Sequence, residues 1–297
     1  MPSTFAHSNH FSSNAIESVL RLQKFAARQF PKAAKEMTET VRLMRSAEKF
    51  NLPDDGVLLD LKSYRPEFEP MLRLPYPLVS LEFAVRTPPE EGSLPSTKRI
   101  VLAWMQGADT TFKMQDAPER TIYFTQVWFD DEQGEWEPSP VVWGFNPTEL
   151  DITDGNFAVT GFHHFPCHPE PYERFDDRSL SHDLQSAATP LFEFCLTVNC
   201  DNIETEPLVP PEKLSAKRKK NGREPFYTYH VLRIPAAQSG EATQEGSSIG
   251  DRNSPRAHWR RGHLRRLSTG KVVWVRHTIV GSAELGRVEK SYLLEKQ

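Results

Sequence analysis

From Val79 to Phe162 the chain is written as short apolar runs broken by turn signals, a pattern that admits a sheet and not a helical bundle. Val79, Leu81, Phe83 and Val85 alternate with Ser80, Glu82 and Ala84, the period of a strand with one buried face. Lys98 to Met105 follows as a short apolar strand, and Arg120 to Phe129 as a long aromatic-rich one. Asp130-Asp131-Glu132-Gln133-Gly134 then turns the chain toward Trp136 and Val141-Val142-Trp143. Pro138 and Pro140 lack the amide that a ladder needs, which excludes this return segment from a central position. Phe157 to Phe162 supplies another strand. The expectation is an antiparallel meander of about five strands with one covered face.

Helices flank this meander. Asn14 with Glu17 resembles a capping box, and Ile16, Val19, Leu20, Gln23, Ala27 and Phe30 trace one helical face. Pro31 ends that helix or restarts it. A second helix, from about Lys32 to Phe50, carries Met37, Val41, Met44 and Ala47. A third is expected from Ser181, its cap, to about Asn199, with Pro190 kinking or splitting it. Leu191, Phe192, Phe194, Cys195 and Val198 form its apolar side. Residues 206–222 are Pro-rich and then Lys-rich, ending in the turn Asn221-Gly222, and Tyr227 to Ile234 returns as a strand. Residues 236–253 are small and polar, the composition of a linker.

The fold class read from this order is α+β. It comprises an N-terminal helical hairpin (1–50), an α+β body with a mainly antiparallel sheet and a covering helix (51–235), a flexible linker (236–253) and a basic C-terminal β module (254–297). The 297 residues suffice for a core without disulfides or metals. No apolar run reaches the length of a membrane span, about 18 residues. Met1 to Asn14 does not read as a secretory leader. Three cysteines, an odd number, fit a reducing compartment, so the expected location is the cytoplasm.

The charge is unevenly placed. Residues 252–297 hold eleven Lys and Arg against Glu284, Glu289 and Glu295, a net +8, so the rest carries −12 of the overall −4. Between Arg252 and Ala283 there is no acidic residue, and Trp259 and Trp274 stand among the cations. Cations neutralise phosphates and indoles stack on unpaired bases. The same module could instead dock on an acidic protein, on the chain's own body or on a second copy. Ser268-Thr269-Gly270 marks a hairpin turn, with Val288 to Leu294 a further strand. The candidate binding residues are Arg256, His258, Trp259, Arg260, Arg261, His263, Arg265, Arg266, Lys271, Trp274 and Arg276.

Other constellations have plainer readings. His163, His164, Cys167 and His168, with Cys195 and Cys200, contain enough donors for zinc, but the spacing matches no finger or ribbon and buried free cysteines are the ordinary outcome. Asp151 and Asp154, or Asp176 and Asp177, could serve a metal-dependent nuclease, but read more simply as turns and a loop. The aromatics Trp104, Tyr123, Phe124, Trp128, Phe129, Trp136 and Trp143 suit the core of the sheet. Neither a phosphate-binding Gly-rich loop nor a serine-nucleophile motif is present in the sequence. No catalytic residue, metal ligand or cofactor is therefore assigned.

Arg256, His258, Arg260, Arg261, Gly262 and His263, followed by Gly270, Lys271, Trp274 and Val275, spell Arg-x-His-x-Arg-Arg-Gly-His and Gly-Lys-x-x-Trp-Val. This resembles a C-terminal motif of functionally uncharacterised proteins encoded by phages and prophages. The stretch Leu72 to Phe83, with its Leu-Pro-x-Pro entry at Leu74 to Pro77, resembles the strand entry of such proteins as well. The resemblance implies a mobile-element origin and an accessory protein that binds a host or defence-system protein in the host cytoplasm, without catalysis. Nucleic-acid binding through the basic module is the alternative, and a metal-dependent hydrolase using the His163–His168 region a weaker one. Self-association is a further expected contact, and a membrane is not.

Overall fold

The structure, a computed structural model, describes residues 10–87, 96–114, 117–158, 161–167, 176–233, 256–260, 262–275, 278–280 and 282–287. The segment expected to be a linker, 236–253, lies outside the described residues, as does the strand expected over 288–294. Two helices come first, α1 (Ser12–Gln29) and α2 (Pro31–Ser46). Pro31 occupies the first position of α2, where its missing amide is not needed, so it ends one helix and begins the next. The helical pattern suggests continuation to Phe50, but Ala47 is extended (ψ 141°) and residues 48–51 form β1 (Glu48–Asn51). Strand hydrogen bonding on both sides of β1 outweighs its local helical periodicity.

β2 (Leu78–Ala84), β3 (Lys98–Met105), β4 (Ile122–Asp130), β5 (Glu135–Pro138) and β6 (Val141–Phe145) follow. A small ribbon, β7 (Ile152–Thr153) with β8 (Asn156–Phe157), precedes β9 (Phe162–Pro166). Then come α3 (Asp177–Val198), β10 (Glu204–Leu208), α4 (Glu212–Lys220) and β11 (Tyr229–Arg233). Nine strands make one sheet in the order β10-β11-β1-β2-β3-β4-β6-β9, with β5 paired to one end of β4. β1 runs parallel to both β11 and β2, and every other pairing in this sheet is antiparallel. The architecture is α+β with a mixed sheet. Pro138 closes the short off-path strand β5, and Val141 to Phe145, just beyond Pro140, is the next-to-last strand, paired with β4 and the edge strand β9.

The sheet is covered on both faces, where the alternation at Val79 to Val85 suggested one. Along β3, Val101 and Ala103 enter a core with Leu184, Leu191, Phe192, Phe194 and Cys195 of α3. Ile100, Leu102 and Trp104 enter a second core with Ile16 and Val19 of α1 and Met37, Val41 and Met44 of α2. Helices on both faces of a sheet make a three-layer domain. The aromatic set mostly fills these cores: Trp104, Tyr123, Phe124, Trp136 and Trp143 are buried. The α1 face departs from its pattern beyond mid-helix. Ala26 instead of Ala27 continues the buried stripe, and Phe30 is left 40% exposed.

α3 is capped by Asp176, which accepts from the Ser179 amide at 2.8 Å, not by Ser181. Pro190 neither splits the helix nor ends it. Its ring lies against Gly56, where an added Cβ would stand 2.8 Å from Pro190 Cβ at a φ of +69°. That close approach and the left-handed backbone both require glycine.

Glu82, expected to face solvent, is fully buried. Its carboxylate accepts from the Phe11 amide (2.7 Å), the Ser12 amide (3.1 Å), the Ser12 hydroxyl and the Tyr229 hydroxyl (2.7 Å). It thereby satisfies the open amides at the start of α1, in place of a local capping side chain. Lys49, 2% exposed, supplies positive charge nearby, and burial brings its ammonium down to about 8. The Asn14 side chain is therefore not what starts the helix. A second fastening joins the helical pair to α4: Arg218 and Arg223 both reach Glu17, at 2.8 and 2.7 Å, and Arg45 reaches Glu224 at 2.9 Å.

Candidate functional site

The basic C-terminal segment forms two strand groups. β12 (Arg256–Arg260) lies between β15 (Thr278–Val280) and β16 (Ser282–Arg287). It carries Arg256, His258, Trp259 and Arg260, opposite Ser282, Val280, Ile279 and Thr278 respectively. β13 (His263–Arg266) and β14 (Val272–Val275) form an antiparallel hairpin. The turn is closed by Gly270 N–H donating to Leu267 O at 2.9 Å, with Gly270 at φ +84°. The Ser-Thr-Gly signal at 268–270 thus marks the hairpin turn. Arg261 and Arg276 lie outside the described residues.

This hairpin is fastened to the body. Leu264 and Val272 belong to the α3-side core, with Trp274 packed against it. Trp274 donates its indole N–H to Leu58 O (3.1 Å) and its amide to Asn202 Oδ1 (2.8 Å), and Asn202 Nδ2 donates back to Trp274 O (2.9 Å). Val272 N–H reaches Asp201 Oδ2 at 2.8 Å, and Asp60 N–H reaches Gly262 O at 3.0 Å. Gly262 has no side chain for a physical reason: an added Cβ would sit 3.1 Å from the Trp274 ring.

The docked hairpin leaves a cleft of about 380 Å³ lined by Asp60, Lys62, Ser63, Arg65, Phe68, His263 and Leu264. Phe68 and Leu264 give it an apolar floor. Lys62 and Arg65 are exposed cations at its rim, and His263, the first residue of β13, is half-buried in its wall. Asp60 is committed locally, accepting from the Lys62 amide at 3.1 Å. Arg265 and Lys271 are exposed on the same hairpin, and Arg266 is held by Glu67 at 3.3 Å. An apolar floor inside a cationic rim suits a protein segment offering carboxylates around an apolar anchor.

The structure brings His263, Arg265, Arg266, Lys271 and Trp274 together, and turns the Trp274 indole inward where sequence reading offered it for stacking. The body residues that complete the cleft carry only generic signals: a turn at 52–56, then polar residues at 60–65 whose partners are about 200 positions away, a separation that pattern reading does not reach.

The zinc combination is divided by the sheet. Cys167 lies in the core under α1 and α2, whereas Cys195 and Cys200 lie in the core under α3. His168 lies outside the described residues. Burial, with Asp201 adding to it, pushes the Cys200 thiol up to about 12, and burial alone raises that of Cys195 further. Burial thus disfavours the thiolate at both positions. Among the described residues no group of three His, Cys, Asp or Glu could hold a metal ion. Asp154 sits at φ +52° in the β7–β8 turn, and Asp176 is the α3 cap, so both serve backbone geometry. Among the described residues no helix is long and apolar enough to cross a membrane.

A family model described as AcrVA2-like, the anti-CRISPR type V subtype A2 family, matches residues 37–282. The match runs from within α2, through the sheet, α3 and the docked hairpin, to the start of β16. No curated protein and no solved structure matches.

Proposed function

Since the chain belongs to the AcrVA2-like anti-CRISPR family, a phage accessory protein that inhibits host defence, we propose that it works by binding a protein of the type V CRISPR machinery and performs no chemistry of its own. The observation that carries this reading is the family match, which spans the folded body and the docked hairpin together. The cleft between β13 and residues 60–68 is the contact surface, with Lys62 and Arg65 at its rim, and Arg265 and Lys271, exposed elsewhere on the same hairpin, extending the positive surface that meets acidic side chains of the partner. Its apolar floor and cationic rim support an interface of ordinary protein–protein chemistry. The phage-like motif from Arg256 to Val275 fits the same role, because its glycines and tryptophan shape the hairpin that forms one wall.

The experiment is titration of the intact protein against a purified type V effector, with and without guide RNA, read by interferometry. Saturable binding is expected, weakened about tenfold or more by Arg265→Glu with Lys271→Glu, with an unchanged melting curve. Lack of effector binding in either state, or indifference to the double substitution, would overturn the assignment of this surface.

A further inference from the structure

The tip of the helical hairpin carries cations and exposed aromatics in one place. Residues 18–35 contain Arg21, Lys24, Arg28, Lys32 and Lys35 and no Asp or Glu. Among the described residues the exposed large apolar side chains are Phe25, Phe30, Val57, Val209 and Leu214. Both aromatic members stand at this tip, Phe25 67% and Phe30 40% exposed. Arg21, Lys24, Phe25 and Arg28 recur at three- and four-residue steps and so share one outward face of α1. Phe30, Pro31 and Lys32 form the bend. Arg21 also lines a cleft of about 270 Å³ with Lys98, Arg223, Phe129 and Trp136, where Glu135 and Glu17 pair with Arg21 and Arg223, so the open cations lie farther along the hairpin. The tip lies before residue 37, outside the family match.

We infer that this tip is a binding site for single-stranded nucleic acid. Neighbouring cations on a helix face stand roughly 5–6 Å apart, close enough for consecutive phosphates of a flexible strand to meet successive side chains. The two phenyl rings beside them offer faces on which unpaired bases stack, the combination that characterises sequence-tolerant single-strand binders. Duplex bases are already stacked and cannot use the rings. A second copy of the hairpin would bring like charges together, which disfavours self-association here. Arg21 stands at the body end of this face, where it pairs with Glu135 at 2.7 Å and Ser18 donates to the same carboxylate, which leaves Lys24, Arg28, Lys32 and Lys35 as the exposed cations of the tip.

The test is fluorescence anisotropy of the intact protein with labelled single-stranded DNA and RNA of about 20 nucleotides, and with a duplex of equal length, across a salt series. Single strands bind more tightly than duplex, and the logarithm of affinity falls with that of salt at a slope of about −0.7 for each phosphate neutralised. Phe25→Ala weakens single-strand binding about tenfold, and Lys24→Glu with Arg28→Glu abolishes it. Lys219→Glu with Lys220→Glu, the same charge change on α4, leaves it intact. Circular dichroism and melting of each variant confirm the fold, since all these side chains are exposed. Overturning results are absence of binding, equal affinity for duplex, indifference to Phe25→Ala, or equal loss from the α4 variant. Binding of an acidic polypeptide such as polyglutamate, with the same loss in Phe25→Ala, would also overturn it in favour of a protein ligand.

Discussion

The β-hairpin near the C-terminus and the α-hairpin near the N-terminus are built from the same ingredients, cations around aromatic rings, and use them in opposite ways. In the β-hairpin the Trp274 ring turns inward, because Leu58 O takes its N–H and Asn202 pairs with its backbone. Arg265 and Lys271 are left on the outside, while the ring of their own hairpin is turned to the body. In the α-hairpin the polar fastenings, Glu82, Glu135 and Glu17, all lie at the base or along the first turns of α1. Among the described residues these fastenings stop at Arg21, and Phe25 and Phe30 beyond it stay 67% and 40% exposed. Composition alone does not separate a docked aromatic from a displayed one. What separates them is where the body offers a hydrogen-bonding partner.

The comparison breaks most severely at Glu82. Glu82→Ala leaves the Phe11 and Ser12 amides and the Ser12 and Tyr229 hydroxyls without their buried acceptor. At about 1 kcal/mol or more for each buried donor left without a partner, it should lower unfolding free energy by about 3–5 kcal/mol in urea titrations, and limited proteolysis should cut α1 first. A loss under about 1 kcal/mol would mean that the cap is unimportant. Trp274→Ala is expected to cost somewhat less, about 2–3 kcal/mol for a partly buried indole. It should release the β-hairpin while α1 stays protected in hydrogen exchange.

A smaller effect depends on pH. Glu39 of α2 is held by the Arg42 guanidinium, the Thr110 hydroxyl and the Thr111 amide, which together bring its carboxyl from 4.5 to about 2. Because the folded value is the lower one, the stabilisation is complete above about 4.5 and disappears as pH falls toward about 2. The stability advantage of the native chain over Glu39→Gln should therefore be constant near neutrality and shrink through that window. An advantage that grew on acidification would contradict the assignment. The smallest effect sharpens the comparison best: Phe25→Ala should change stability by less than about 0.5 kcal/mol, unlike Trp274→Ala. A larger loss would show the ring to be packed.

Much of the fold was legible because it rests on local signals. The strands at β2, β3 and β4, the hairpin turn at 268–270 and the stripe Met37, Val41, Met44 and Ala47 are all periodic or turn-coded. What escaped depends on distant partners. Glu82 looked like the solvent-facing member of an alternating strand until α1 and Tyr229 were brought to it. β1 looked helical until β2 and β11 paired on either side. Phe30 fitted a helical face in projection, but the hairpin bend carries it past the edge of the body. In the candidate site, the basic residues and the hairpin were readable. The inward turn of Trp274 was not, because Leu58 and Asn202 lie far away in sequence.

The central position of β1 also sets a timetable for synthesis. Lys49 and Phe50 pair with Tyr229 and His230, so a strand made early waits for one made near the end of the body. Until Tyr229 leaves the ribosome, one edge of β1 stays open and Glu82 lacks the Tyr229 hydroxyl. Long-range pairings of this kind form late and slowly. A nascent chain that stops short of residue 229 thus lacks half of β1's ladder, and the sheet closes around β1 only once β11 is translated.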